Sequence, residues 1–263
     1  MIMNYIDLAL SFLPIVISLS AFILLTKRYF ELKQSQHFFL LLVFGLLSIT
    51  YLYFFIFCIK LNSVASILFP MRQPVSLLLV PFSSFFGLAL FLGQSLPFRK
   101  LLIHALPALF VFIGFIPFWF LTPGLQDAYL SGALQNNTDN LIVLNIDTLR
   151  KTSIYVLFNT QLILYNIYIV LKFRNYDKSS NVTLHSHPSV ATIAIILVFF
   201  TFLLVLINNA YVLGVSIYSA SRIFFNCTSV IILTMVFLAG YMKKQPIACE
   251  KLSENDEENT DGY

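Results

Sequence analysis

Seven amide side chains fall inside long apolar stretches of the sequence: Gln94, Asn159, Gln161, Asn166, Asn208, Asn209 and Asn226. An amide surrounded by hydrocarbon needs a hydrogen-bond partner, so each of these positions either meets a ligand or ties one helix to another. No Asp or Glu stands in the middle of these stretches, and no pair of titratable groups is spaced for acid–base work. A Gly-rich phosphate loop, a Gly-x-Ser-x-Gly elbow and a His-Glu-x-x-His pair are all missing from the sequence. The expectation is a protein that is not an enzyme and takes no cofactor. His185 and His187 form a His-x-His, but no thiol or carboxylate accompanies them at ligand spacing, so no metal site is expected. Cys58, Cys227 and Cys249 are an odd number, and the first two lie in apolar stretches where a thiol packs like a small hydrophobe, so no disulfide is expected. Asn136, Asn181 and Asn226 each begin an Asn-x-Thr triplet, and these are read as incidental.

The elements that carry these residues follow from composition. Of 263 residues, 59% are hydrophobic and 11% charged, whereas a soluble domain carries about 25% charged residues. So few charges cannot cover a water-facing surface, which makes lipid the expected solvent. A helix needs about 20 apolar residues to cross the hydrocarbon core. Uncharged runs of that length occupy residues 8–26, 38–59, 74–96, 101–122, 152–171, 190–213 and 223–242. They are neither short nor alternating, which argues against a β-barrel. The first run has no basic residue before it and so does not read as a cleaved signal peptide.

Orientation comes from the basic residues between the runs. Lys27, Arg28, Lys33, Arg99, Lys100, Lys172, Arg174, Lys178, Lys243, Lys244 and Lys251 fall on one side, and Lys60, Arg72, Arg150, Lys151 and Arg222 on the other. The positive-inside rule then places the N-terminus outside and the C-terminus in the cytoplasm. The expected fold is an all-α membrane protein, a seven-transmembrane-helix bundle over residues 1–246, followed by an acidic, disordered cytoplasmic tail at 247–263. Residues 61–73 contain Pro70 and lead into Pro74, and could form a surface loop, a short interfacial helix or a re-entrant dip, with a loop or interfacial segment expected ahead of a third span that starts at Pro74. Pro14, Pro81, Pro107 and Pro117 are expected to kink their helices. The external stretch 123–151 reads as either a cap over the bundle or a plain connection. Arg222 at the outer start of the last span is read as snorkelling to the headgroups.

Three short motifs occur in order along the chain. Phe69-Pro70 and Pro81 precede the basic link Pro97-Phe98-Arg99-Lys100, which leads into Leu101-Leu102-Ile103-His104-Ala105-Leu106-Pro107; Gly240-Tyr241-Met242-Lys243-Lys244-Gln245-Pro246 closes the last span. In this the chain resembles the membrane region of bacterial AraC-type regulators that carry seven spans ahead of a helix-turn-helix domain. His104 and Pro107 match the family's Leu-Leu-His-x-x-Pro-Phe stretch, and Gly240, Tyr241, Gln245 and Pro246 match its Gly-Tyr then Gln-Pro ending. Pro81 is preceded by Val80 where the family has Gly, and the family's tyrosine pair after it is replaced by Phe82-Ser83-Ser84-Phe85-Phe86.

The resemblance implies a sensor or signalling module in a bacterial inner membrane, the sensory half of such a regulator with its DNA-binding domain absent. Signal output would then pass to a cytoplasmic partner, with no direct nucleic-acid binding by this chain and an unidentified small-molecule ligand. Two other classes share the topology. A serpentine G-protein-coupled receptor would show an Asp-Arg-Tyr-like element after the third span and Asn-Pro-x-x-Tyr in the seventh, and neither is present. A small transporter or permease subunit would show intramembrane carboxylates or repeated halves, also missing.

Overall fold

The computed structural model describes residues 5–92, 98–134, 140–180, 205 and 219–242. The expected sixth span at 190–213, the tail at 247–263, the His185–His187 pair, and Gln94, Asn208, Asn209, Gln245 and Pro246 lie outside the described residues. Among the described residues every regular element is helical. The elements are α1 (Tyr5–Leu32), α2 (Ser35–Cys58), α3 (Asn62–Leu92), α4 (Phe98–Phe115), a 3-10 turn (Ile116–Phe120), α5 (Pro123–Leu130), α6 (Leu141–Thr152), a π turn (Ser153–Leu157), α7 (Phe158–Ser180) and α8 (Ser219–Met242). Five stretches are long and apolar enough to cross a membrane: Leu8–Leu32, Ser35–Cys58, Asn62–Leu90, Lys100–Phe120 and Leu141–Lys172.

α3 is the hub. It packs on α2, α4, α7, α5 and both irregular turns, while α1 packs on α2 and α8. Almost all of α3 is buried, whereas α1, α4 and α7 turn broad apolar faces outward. Such faces suit a hydrocarbon solvent, which removes the penalty water imposes on exposed Leu and Phe.

The contacts fix relative directions. Ser11 of α1 meets Asn226 of α8, and further along both helices Arg28 meets Tyr241. α1 and α8 are therefore parallel, and the start of α1 and the end of α8 lie at opposite ends of the bundle. α2 runs against both, since Tyr51 lies beside Phe225 and Phe44 beside Phe237.

The expectation for residues 61–73 is corrected. They form the first turns of α3, and the helix continues through Pro70, Pro74 and Pro81. A proline in a helix frees the carbonyl four residues earlier and clashes with it. Pro70 and Pro74 lie one turn apart, so their distortions fall on one face, and dense burial against α2, α4 and the 3-10 turn holds the segment. Phe69 is the anchor, with its ring 4.4 Å from Phe118, 5.4 Å from Tyr129 and 5.6 Å from Phe115. Arg72, read from sequence as an external loop residue, is buried on α3 with its guanidinium 5.5 Å from the ring centroids of both Tyr53 and Phe54. The aromatic faces offset part of the desolvation of that cation.

The described residues of the stretch 123–151 are mostly helical, in α5 and α6. Asn140 caps α6 by accepting from the amides of Ile142 and Val143 at 3.0 and 3.3 Å. The Trp119 indole N–H donates to the Ile67 carbonyl at 3.1 Å, which ties the 3-10 turn to the start of α3. α6, the π turn and α7 form one continuous helical run. Its 141–172 part is about 48 Å long at 1.5 Å per residue, well beyond the roughly 30 Å of a hydrocarbon core. The polar residues Asn145, Asp147, Arg150 and Lys151 all fall in the first turns of that run.

Candidate functional site

α4 and α7 each present one regular face to α3. On α4 the inward positions are Leu101, His104, Ala108, Val111 and Phe115, at alternating steps of three and four, while Leu102, Leu106, Phe110 and Ile113 point outward. On α7 the inward positions are Phe158, Gln161, Leu162, Tyr165 and Ile169. Where the two faces meet, the Tyr165 hydroxyl and His104 Nδ1 share a hydrogen bond. The ring of Phe85 on α3 packs against both, 4.8 Å from His104 and 5.9 Å from Tyr165 between centroids. One polar contact thus joins three helices. One turn earlier on the same face of α7, Gln161 Oε1 is buried with no partner, an acceptor open to a donor.

The next residue of α3, Phe86, faces α8. A Cβ on Gly240 would lie 2.3 Å from Leu40 Cδ2 and 3.1 Å from Phe86 Cζ, so any side chain here would require Leu40 of α2 and Phe86 of α3 to shift. Phe237 stacks on Tyr241 with centroids 5.1 Å apart and meets Phe44 edge-on at 6.1 Å. The Arg28 guanidinium lies 5.0 Å over the Tyr241 ring and closes α1 onto the end of α8. The residues that resemble the family junction, Gly240 and Tyr241, are therefore packing contacts of the bundle.

The remaining amides have separate fates. Asn226 donates to Ser11 Oγ at 3.1 Å and is buried, so it pins α8 to α1. The Asn159 amide donates to the Tyr155 carbonyl of its own helix at 2.9 Å. Asn166 lies on the outward face of α7. Of the residues singled out from sequence, His104 on α4 pairs with Tyr165, one turn after Gln161 on α7, while Asn159, Asn166 and Asn226 lie elsewhere.

The cap holds a charged network that the sequence pattern hid. Asp147 Oδ1 accepts from Arg150 at 2.7 and 3.1 Å, Lys151 Nζ lies 2.7 Å from Oδ2, and the Tyr129 hydroxyl donates at 3.4 Å. Burial alone would raise the Asp147 pKa. The hydrogen bonds from Lys151 and Arg150, together with their charges, outweigh it and hold the carboxyl below its ordinary value. Tyr165 was also missed in the sequence. The available signal for Tyr165 was its place one helical turn after Gln161, on the face opposite the outward-pointing Ile163 and Ile167.

Comparison with known proteins finds no matching family model, no matching curated protein and no matching solved structure.

Proposed function

We propose that this chain is the sensory and transmitting part of a membrane signalling system, equivalent to the sensory half of a membrane-bound AraC-type regulator and acting through a partner in the cytoplasm. In this reading it crosses a bacterial inner membrane seven times, with its N-terminus outside. The parallel course of α1 and α8 supports an odd number of crossings, and the basic residues gathered at the end where α8 finishes support that end as cytoplasmic.

The observation that carries the reading is the pair Phe85–Phe86. These neighbours on the central helix touch the His104–Tyr165 bond on one side and Gly240 of the last helix on the other. A stimulus that shifts α7 against α4, whether through the cap or through a donor met by Gln161, changes the bond. Phe85 then rotates α3, and Phe86 presses on α8 or releases it, because packed helices move between discrete arrangements rather than deforming smoothly.

The test is a fusion of a DNA-binding output domain after Pro246, read by a reporter gene. Tyr165→Phe removes a hydrogen bond worth about 0.6 kcal/mol in a bilayer, which converts to roughly a threefold shift in a two-state equilibrium. Reporter output should move by about that factor. Unchanged output from inserted, folded Tyr165→Phe and His104→Ala variants would remove the proposal.

A further inference from the structure

The side of α7 turned away from α3 is not uniformly apolar. Asn159, Ile163, Asn166 and Val170 follow one another at steps of four, three and four, the spacing of a helix–helix seam. Ile163, Asn166 and Val170 are exposed and Asn159 is half-buried. The charged residues Lys151 and Lys172 bracket the stripe about 32 Å apart along the helical run, close to the roughly 30 Å of a hydrocarbon core. Both amides therefore fall at lipid depth.

An amide in hydrocarbon has no water to bond, and each unsatisfied polar group there is costly. The Asn159 amide donates to the Tyr155 carbonyl at 2.9 Å, which leaves its own oxygen as an acceptor. Asn166 forms no hydrogen bond with another described residue. An exposed amide on a lipid-facing stripe lacks a partner that lipid tails cannot supply.

We propose that a second copy of this chain docks on this stripe, α7 against α7, with the two Asn166 side chains bonded to each other. Copies inserted in one membrane share an orientation, so their α7 helices run parallel. A two-fold axis along the bilayer normal then brings each position of the stripe against itself. That symmetry suits an amide, which carries both donors and an acceptor, so two identical amides at one level satisfy each other reciprocally. Ile163 and Val170 at the alternate levels are apolar and β-branched, and the stripe bears no charge that would repel its own image. Asn159 and Asn166 stand seven residues apart and fix the register, because a slip of one turn would set Asn159 against Ile163 and Asn166 against Val170. This assignment stands whether or not the chain signals.

The test places the full chain, carrying a donor or an acceptor fluorophore at its C-terminus, in phosphatidylcholine vesicles, and follows energy transfer as lipid dilutes the protein. Transfer should saturate well above the level of random proximity. Asn166→Leu removes two interhelical bonds, each worth about threefold in an equilibrium, and should raise the protein-to-lipid ratio needed by about eightfold. Asn166→Gln keeps an amide and should raise it by less than about threefold. Leu106→Ala, on the lipid-facing side of α4, should leave the curve in place. A second measurement uses the chain with Cys58, Cys227 and Cys249 replaced by Ser. There Ile163→Cys should form a disulfide between copies under copper phenanthroline, and Leu164→Cys, a third of a turn away, should not. Random-level transfer overturns the proposal, whether lipid or the run 190–213 of the same chain covers the stripe. An unchanged curve in Asn166→Leu, a shift in Leu106→Ala, or equal cross-linking at the two positions also overturns it. If Asn166→Leu does not insert, the contrast between Ile163→Cys and Leu164→Cys decides.

Discussion

Gly240→Ala is a substitution for which helix propensity and local packing give opposite signs. Alanine is the better helix former by about 1 kcal/mol in a helix interior, so propensity alone makes the variant more stable. The added methyl, however, falls 2.3 Å from Leu40 Cδ2 and 3.1 and 3.2 Å from the Phe86 ring. Leu40 is 0% exposed and Phe86 2%, so neither has free volume to enter. Overpacking of that kind costs about 1–3 kcal/mol, and the balance is a loss of roughly 0–2 kcal/mol.

Two other glycines calibrate the result. Gly124 in α5 has nothing within 4 Å of its Cβ position, so Gly124→Ala should gain up to about 1 kcal/mol. At Gly114 the methyl meets the tip of the half-buried Leu149, which can swing away, so Gly114→Ala should be near neutral. The measurement is thermal unfolding of each purified variant in one detergent, with Leu40→Ala added to build a double-mutant cycle. Leu40→Ala should relieve Gly240→Ala by about 1–3 kcal/mol of coupling. If Gly240→Ala stabilises as much as Gly124→Ala and shows no coupling to Leu40, the close approach of α8 is wrong.

Asp147→Asn should cost about 1.5–3 kcal/mol, because it replaces the carboxylate that accepts from the Arg150 side chain, only 9% exposed, with a neutral amide. Lys151→Gln, at a side chain 52% exposed, should cost less than about 1 kcal/mol. Because the folded protein holds the Asp147 carboxyl below its ordinary value, the network's contribution is complete above about pH 4. It is lost as pH falls further, through the folded pKa, so the Tm gap between wild type and Asp147→Asn should be flat from about pH 5 to 8 and shrink only in stronger acid. Asn226→Ala and Ser11→Ala should each lower stability by about 0.6 kcal/mol, and the double variant by little more than either single one.

α1 and α2 were legible because no Asp, Glu, Lys or Arg stands between Asp7 and Lys27 or between Lys33 and Lys60, leaving runs that only lipid or protein interior can accept. The start of α3 was not legible. Pro70, Arg72, Gln73 and Pro74 read as punctuation when each residue is judged against solvent, and they sit in a helix because protein surrounds them on nearly every side. α6 was hidden for a related reason: Asp147, Arg150 and Lys151 look like loop charges until their mutual neutralisation on one helix face is visible. His104 stood out as a lone histidine in an apolar run, yet its partner Tyr165 is a long-range neighbour that no local pattern names. Asn226 and Asn166 look alike in sequence, and only the packing separates the pin between α1 and α8 from the outward-facing amide.

The make-up of the central helix has a consequence for biogenesis. α3 has a mean hydropathy of 1.6, against 2.5 and 2.4 for the two helices before it, and it carries Arg72 and three prolines. A single arginine adds about 2.5–3.5 kcal/mol to the cost of releasing a nascent segment from the translocon into lipid when it sits mid-helix. Such a segment should partition poorly by itself and is expected to insert together with α2, whose Tyr53 and Phe54 receive the guanidinium in the folded bundle. Damage to those two aromatic residues would therefore emerge as misinserted chains cleared by quality-control proteases, upstream of any effect on the finished bundle.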